Sequence, residues 1–304
     1  MHIPNGMLQG TICPVTAVVS VIGVTLAGLR AFWSHHKPSA ARFAAITALI
    51  FAGQMMNFPI KDGTSGHLLG GVLAVSLLGL PFGVLSIALV VAIQCIVFSD
   101  GGFMVLGANV LNMALIGAGL GGIVQMYFAN RFSERSAQYA LGLGFAAWFS
   151  VIMAALACSI ELAIAGTIPF GRVAGAMLGT HALIGIGEGL ITVAVCFALA
   201  SEPVKVSSKR SVTVPLVASG IIATMLSPFA SGFPDGLEWV AEKYQFLHEA
   251  APTFVSPLPD YSVPWISNEF LSTGFSGLIG VAITFAVAWS IAKLVTVQSL
   301  PKTS

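Results

Sequence analysis

Nine apolar stretches make up most of the chain and constrain its fold more than any other feature. Most are long enough for a helix to cross the hydrocarbon core of a bilayer, which takes about 20 residues. Only 8% of the 304 residues are charged, whereas soluble domains carry about 25%. The sequence therefore predicts an all-α polytopic protein of the lipid bilayer with about nine transmembrane helices, at 14–33, 43–59, 66–80, 81–98, 105–128, 139–164, 173–200, 213–230 and 272–296.

The charges of the loops predict how the chain is oriented, because Lys and Arg accumulate on the cytoplasmic side of membrane proteins. If the N-terminus is outside, ten of the 13 basic residues lie inside, and the outer side carries only Lys61, Arg172 and Lys243. The opposite orientation would reverse this bias. An outer N-terminus places His2, the loop that carries His67 and the segment 231–271 on the same side of the membrane.

A polar, basic stretch, SEPVKVSSKRSV at 201–212, interrupts the apolar pattern and is typical of a cytoplasmic linker. It predicts two units. The first, at 1–210, has seven helices, and the second, at 211–304, has two helices joined by the external loop 231–271.

The chain opens with MHIPNGM, and a histidine directly after the first residue can form a metal chelate. The amine of Met1, the amide nitrogen of His2 and Nδ1 of its imidazole can occupy three corners of a square around one ion. Coplanar nitrogen donors suit Ni(II) or Cu(II), whereas zinc prefers a tetrahedron. The chelate needs a free amine, and we expect Met1 to be retained because methionine is normally removed only before a small residue.

Another external histidine must fill the fourth corner, and His67 is the best candidate. It ends the GTSGH loop at the start of the third apolar block, on the predicted outer side. His35 and His36 lie beside Lys37 on the predicted inner side and are therefore poor candidates.

Further polar residues lie in or beside apolar sequence. His181 and Glu188 are seven residues apart, which places them on one helical face. Ionisable groups at membrane depth are costly and usually face the bundle interior. They could support the metal site, line a passage or only join helices, and the sequence leaves these alternatives open. The same holds for Asn57, Ser65 and the two asparagines of GANVLNMA at 107–114.

Several function classes are excluded or poorly supported. The chain has no GxxxxGK[ST] phosphate loop, so it does not hydrolyse ATP by that route. The HExxH and GxSxG motifs are absent too, and a formal net charge of +1 implies no nucleic-acid partner.

The motifs MHIPNG, GTSGH and GANVLNMA, with the H-x6-E spacing of His181 and Glu188, resemble the CbiM/NikM family over about residues 1–200. The resemblance implies the substrate-binding component of an energy-coupling-factor transporter for nickel or cobalt. It also implies that the Met1 amine, the His2 amide and imidazole, and His67 hold the metal. Family members typically carry an acidic residue where this chain has Asn5.

The stretch FPDGLEWVAEKYQF at 233–246 resembles the PDGLE module, an accessory component of such systems, fused here to the binding unit. The resemblance implies a separate transmembrane coupling subunit and ATP-binding cassette ATPase subunits, in the cytoplasmic membrane of a bacterium or archaeon. It implies no resident cofactor, since Ni(II) or Co(II) is the cargo.

Two alternative functions stay open at this point. A vitamin-binding component of the same transporter class predicts an aromatic-lined external pocket. A metal-dependent intramembrane enzyme predicts an activity that depends on His181 or Glu188. The external loop raises a separate question, because its acidic residues could be plainly solvated or could attract cations to the outer mouth: Asp235, Glu238, Glu242, Glu249, Asp260 and Glu269.

Overall fold

The computed structural model describes residues 1–199, 209–247 and 254–297, with side chains as far as residue 294. Most of the predicted linker at 201–212 lies outside these residues, as do Glu249, Lys205 and Lys302. The described residues are mainly helical, and the strands among them form one two-stranded sheet.

In the part of the chain that the structure describes, nine apolar helices correspond to the nine predicted blocks, which confirms the all-α membrane fold. Seven of the helices in the described residues are long and apolar enough to cross a membrane, whereas α2 and α3 are shorter. The nine are α1 (Ile12–Phe32), α2 (Ala40–Gln54), α3 (Gly71–Leu78), α4 (Leu80–Phe98), α5 (Phe103–Arg131), α6 (Ala137–Ile164), α7 (Phe170–Leu199), α8 (Arg210–Phe229) and α10 (Glu269–Val297). A short amphipathic helix, α9 (Gly236–Lys243), lies in the loop before α10.

The segment between α2 and α3 is a β-hairpin rather than helix. Strands β1 (Asn57–Pro59) and β2 (Ser65–His67) pair antiparallel, with Asn57 opposite His67. The prediction that helices continue to residue 59 and restart at residue 66 is therefore wrong at these ends. His67 ends a strand four residues before α3 begins, and the paired strands fix the direction in which its side chain leaves the backbone.

A sharp turn joins α3 to α4. Gly79 has φ 87°, in the left-handed region that glycine adopts without strain. Pro81 lies in the first turn of α4, where its missing N–H costs no helical hydrogen bond. The glycine therefore makes the turn, and the proline starts the helix that follows.

Helix α2 joins the two units of the chain. The helices α8, α10, α4 and α3 all pack against it, so that nearly all its residues from Phe43 to Gln54 are buried. Helix α1 is the opposite case, since Val18, Ile22 and Leu26 are each more than half exposed. Such an apolar, unpacked face suits contact with lipid.

The loops that matter for function meet at one end of the bundle. Hydrogen bonds join the N-terminal segment, the β-hairpin and the turn after α4 there to the segments 231–247 and 254–261. Arg42 contacts the carbonyl of Leu77 near the other end. Which end faces the outside rests on the distribution of basic residues and stays a prediction.

Candidate metal centre

The first three residues are buried and held in place by backbone contacts. The amide of Ile3 donates to Oδ1 of Asn109 at 2.8 Å, and Nδ2 of Asn109 donates back to the Ile3 carbonyl at 3.1 Å. The same carbonyl accepts the amide N–H of Gly102 at 2.8 Å. Because Asn109 lies in α5, it fastens the N-terminus to the bundle, and this is the packing role that the sequence left as one alternative.

The amine of Met1 lies in hydrogen-bond contact with Nε2 of His67. On the other side of the His67 ring, Nδ1 donates to the Leu68 carbonyl at 3.0 Å. That bond fixes the tautomer and leaves the lone pair of Nε2 directed at the amine. Burial, the charge of the amine and the nearby His2 lower the pKa of His67 from 6.5 to about 3, so the ring is neutral and able to act as a ligand.

The imidazole of His2 lies beside that of His67, with ring centroids 5.4 Å apart and planes inclined by 16°. Its Nδ1 is 2.9 Å from Oδ1 of Asp100, and its Nε2 is 3.1 Å from Oε1 of Gln94. The structure therefore brings Met1, His2 and His67 together. In this structure, however, Nδ1 of His2 contacts Asp100 and makes no hydrogen bond to the Met1 amine or to Nε2 of His67.

Asp235, from the C-terminal unit, closes the other side of the site. Its Oδ2 accepts a hydrogen bond from the Met1 amine at 2.6 Å and lies 3.8 Å from Nε2 of His67. Burial alone would raise the pKa of this carboxyl, but the charges of the amine and of His67 outweigh it and hold the pKa well below its usual range. Of the two alternatives for the acidic loop, plain solvation does not hold for Asp235, whose side chain is 13% exposed.

Glu188 supports the chain just after His67. Its two carboxylate oxygens accept the backbone N–H groups of Leu69 at 2.6 Å and Gly70 at 2.8 Å. Glu188 is fully buried on α7, so it anchors the hairpin to the bundle. These contacts favour a structural role over a position in a passage.

His181 lies seven residues before Glu188 on α7, and one of its ring nitrogens is hydrogen-bonded. Its Nδ1 donates to the Met177 carbonyl at 2.8 Å, while Nε2 has no hydrogen-bond partner among the described residues. The ring borders a small cavity of about 10 Å³. Met1, His67 and Asp235 also line this cavity. That volume suits about one water or small ion.

The remaining predicted residues contact the site through neighbours. Ser65 donates its hydroxyl to the carbonyl of Phe233 at 2.8 Å. The backbone carbonyl of Asn57 accepts the N–H of Ser231 at 2.8 Å. Asn5 accepts the N–H of Met104, at the start of α5, at 3.1 Å, a bond that an acidic residue at this position could also accept.

Sequence reasoning missed Asp100, Gln94 and Tyr261. The Tyr261 hydroxyl donates to Oδ2 of Asp100 at 2.6 Å, so the contacts run from the C-terminal loop to His2. Asp100 carried a weak signal, since it ends an apolar block on the predicted outer side. Nothing in the sequence around Tyr261 pairs it with a residue 161 positions away.

Among the described residues, no three His, Cys, Asp or Glu side chains converge on one point as a metal site. A chelate of the predicted kind draws two of its four nitrogens from the backbone, and so it does not depend on such a cluster.

Comparison with known proteins identifies the family. The model of the cobalt uptake substrate-specific transmembrane region, CbiM, matches residues 2–207, and that of the PDGLE domain matches residues 209–297. The chain belongs to the CbiM family. As a CbiM-family protein fused to a PDGLE domain, it is a multi-pass membrane component of metal transport rather than an enzyme.

Relatives of this CbiM-family chain share its whole length. The NikMN protein of Archaeoglobus fulgidus is 34% identical, over 96% of this chain and 98% of its own. The fused nickel transport protein NikMN of Rhodobacter capsulatus is 29% identical, over 94% and 95%. A crystal structure of a truncated transition metal transporter is similar with a TM-score of 0.58 and 29% identity, covering 66% of this chain and 99% of that one.

Proposed function

We propose that this protein is the substrate-binding component of an energy-coupling-factor importer that captures Ni(II), or Co(II), from outside the cell. One observation carries the proposal: the Met1 amine contacts Nε2 of His67, beside the ring of His2. A free amine and a neutral imidazole with its lone pair turned to that amine are two donors for neighbouring corners of a planar site.

The amide nitrogen and Nδ1 of His2 supply the other two corners. Nδ1 lies 2.9 Å from Asp100, so binding requires the imidazole to turn about its Cβ–Cγ bond and exchange Asp100 for the ion. The turned ring keeps an Nε2–H that can donate, as metal-bound histidines commonly do to a carboxylate, a carbonyl or water. Four coplanar nitrogens favour Ni(II) among the divalent candidates that relatives transport.

The size of the site argues against the vitamin-binding alternative. The cavity beside Met1 and His67 measures about 10 Å³, whereas pockets for organic ligands are usually about 300–1,000 Å³ in size. A cavity of this size suits a single ion. Membership of a transport family removes the support for the intramembrane enzyme.

Energy for uptake comes from other subunits in this proposal. The chain lacks a phosphate loop, so we infer a transmembrane coupling subunit and ATP-binding cassette ATPases in the cytoplasmic membrane of a bacterium or archaeon. Co-expression with candidate subunits and purification through a C-terminal tag on this chain tests that assembly.

Titration of the purified full chain with Ni(II) tests the ligand set. We compare the native N-terminus, verified by intact mass, with a Gly-Ser extension before Met1 and with the same extension at the C-terminus. The N-terminal extension should weaken binding by at least about a hundredfold, equivalent to about 2.8 kcal/mol, because it removes the amine. The C-terminal extension should leave binding unchanged.

Substitution of His67 tests the fourth corner. His67→Ala should weaken Ni(II) binding strongly without abolishing it, since three nitrogens remain. The matched control is His36→Ala, because His36 is exposed far from the site. Tight binding by the N-terminally extended protein, or a larger loss in His36→Ala than in His67→Ala, would refute the proposed ligands.

A further inference from the structure

We propose that residues 234–238, named here the PDGLE lid, cover the metal site and that Asp235 is a positioning residue, which holds the Met1 amine against His67. The inference rests on the proposed function and extends it, because it assigns a role to the motif of the C-terminal unit. Four sets of contacts support it.

The lid is anchored to the hairpin that carries His67. The amide of Ser65 donates to the Pro234 carbonyl at 2.9 Å, and its hydroxyl donates to the Phe233 carbonyl at 2.8 Å. Ser231, just before the lid, donates its N–H to the carbonyl of Asn57 at 2.8 Å. Both strands of the hairpin therefore hold the approach to the lid, and Asn57 and Ser65 are its docking points.

Gly236 lets the lid approach α7 closely. A Cβ at this position would lie 2.8 Å from Cδ1 of Ile184 and 2.9 Å from Cε1 of His181, both closer than ordinary van der Waals contact. The next residue, Leu237, is fully buried. The glycine thus seats the lid on the His181 ring, and the leucine fixes it to the apolar interior.

The two oxygens of Asp235 have separate roles. Oδ1 accepts the N–H groups of Leu237 at 2.8 Å and Glu238 at 3.0 Å, which caps the N-terminus of α9. Oε2 of Glu238 accepts the N–H of Asp235 at 3.0 Å and completes the capping box. With Oδ1 fixed by the helix, Oδ2 is left pointing at the Met1 amine, 2.6 Å away.

This geometry gives Asp235 a role before and after the ion binds. Beforehand, it pairs with the amine, which is buried with Met1 at 6% exposure, and keeps it in contact with His67. Afterwards, a metal-bound amine still carries N–H groups, one of which can donate to Oδ2. A carboxylate this near the site also attracts a divalent cation. Removing the charge should therefore weaken binding and speed dissociation.

The first experiment needs no metal. Asp235→Asn keeps an oxygen for the helix cap, since Asn is as good an N-cap as Asp, and removes the charge that faces the amine. We measure acylation of the Met1 amine of the full chain by an N-hydroxysuccinimide ester, with the exposed Lys61 as internal standard. The rate should rise about tenfold, as expected if about 1.4 kcal/mol of protection is lost. The control, Glu242→Gln, removes an exposed charge from α9 and should change nothing.

A second variant lifts the lid without changing any charge. Gly236→Val places a branched side chain against His181 and Ile184 and should raise acylation of Met1 as well. Gly232→Val is the matched control, because a Cβ there meets nothing within 4 Å. Protection of Met1 at the level of the native protein in both Asp235→Asn and Gly236→Val would overturn the lid.

Titration with Ni(II) separates this inference from the proposed function. Asp235→Asn should bind about tenfold more weakly, mainly through faster dissociation, whereas Glu242→Gln should match the native protein. Unchanged Ni(II) binding and acylation in Asp235→Asn, with strongly weakened binding in His67→Ala, would reject the lid and keep the metal site. Faster acylation of Met1 in Asp235→Asn and Gly236→Val, together with no Ni(II) binding by the native protein, would keep the lid and reject the metal site.

Discussion

The hydroxyl of Tyr261 donates a hydrogen bond of 2.6 Å to Oδ2 of Asp100, and the other oxygen of that carboxylate lies 2.9 Å from Nδ1 of His2. The Tyr261 ring stacks on Phe98 with centroids 4.6 Å apart. Burial would raise the pKa of Asp100, but the charge of His2 and the hydrogen bonds from His2 and Tyr261 hold it well below its usual range. Tyr261, from the PDGLE unit, therefore orients the carboxylate of Asp100, from the binding unit.

Tyr261→Phe isolates this hydroxyl, because the substituted ring keeps its stacking on Phe98. We expect Ni(II) binding to weaken by about threefold, or about 0.7 kcal/mol, as for the loss of one ordinary hydrogen bond. Thermal unfolding in detergent should change little. Calorimetric titration of the two proteins side by side checks this, and a larger loss of stability than of affinity would contradict it.

Asp100→Asn removes the charge beside His2 and should have the larger effect. Asp100 gives up Nδ1 of His2 when the ion binds, but its charge stays beside the site and attracts a divalent cation, so we expect Ni(II) binding to weaken about tenfold. The double variant with Tyr261→Phe should be no weaker than Asp100→Asn alone, since the tyrosine acts through that carboxylate. Additive losses in the double variant would show that Tyr261 acts by another route.

The number and order of the apolar helices could be predicted because each block carries its own signal of length and composition. The hairpin at Asn57–Pro59 and Ser65–His67 could not, because three-residue strands leave almost no periodic pattern and their ends merge into the apolar blocks on either side. The start of α3 was placed at residue 66 rather than at Gly71 for the same reason. The turn that ends α3 depends on Gly79, whose positive φ is a property of the backbone and not of the hydropathy pattern.

His2 and His67 were predictable as partners because the chelate at the N-terminus needs one more nitrogen and few external histidines are available. Asp235 was visible only as one of several acidic loop residues. Its place beside Met1 depends on contacts between parts of the chain 234 positions apart, and spacing along a sequence carries no information on such contacts. The sequence could not predict which way Nδ1 of His2 faces either, because that depends on its contact with Asp100.

Glu188→Ala should destabilise the protein. It leaves the buried N–H groups of Leu69 and Gly70 without acceptors, and each such group costs about 1–3 kcal/mol. Glu188→Gln keeps one carbonyl oxygen and should lie between the native protein and the alanine variant in unfolding temperature. Ni(II) affinity should fall in the same order, because Leu69 lies two residues beyond His67. An alanine variant of native stability would contradict the anchoring role.

The pH dependence of binding should contain no contribution from His67. Protons and metal compete for the same lone pairs, so affinity falls as pH falls, and the amine and amide nitrogens must lose protons. The pKa of His67 is lowered to about 3, so this ring releases no proton on binding above about pH 4. The slope of log affinity against pH, between about pH 5 and pH 8, should therefore be equal in the native protein and His67→Ala. A shallower slope in the variant, centred near the ordinary histidine pKa of about 6.5, would contradict this.

Bound nickel should be four-coordinate, diamagnetic and yellow to orange. Four coplanar nitrogen donors create a strong field, which pairs the eight d electrons of Ni(II), whereas a water-rich octahedral site leaves two of them unpaired and is pale green. Asp235 is the one carboxylate described beside the Met1 amine, and its Oδ2 is already the acceptor of that amine, so we expect it to stay bound to the N–H and off the metal. Asp235→Asn should then keep the native spectrum despite its weaker binding. His67→Ala should shift the absorption to longer wavelength, because water replaces a nitrogen at the fourth corner. Absorption spectra and magnetic susceptibility of the nickel-loaded proteins near neutral pH decide the matter, and a paramagnetic six-coordinate ion in the native protein would refute the four-nitrogen site even if nickel is the transported metal.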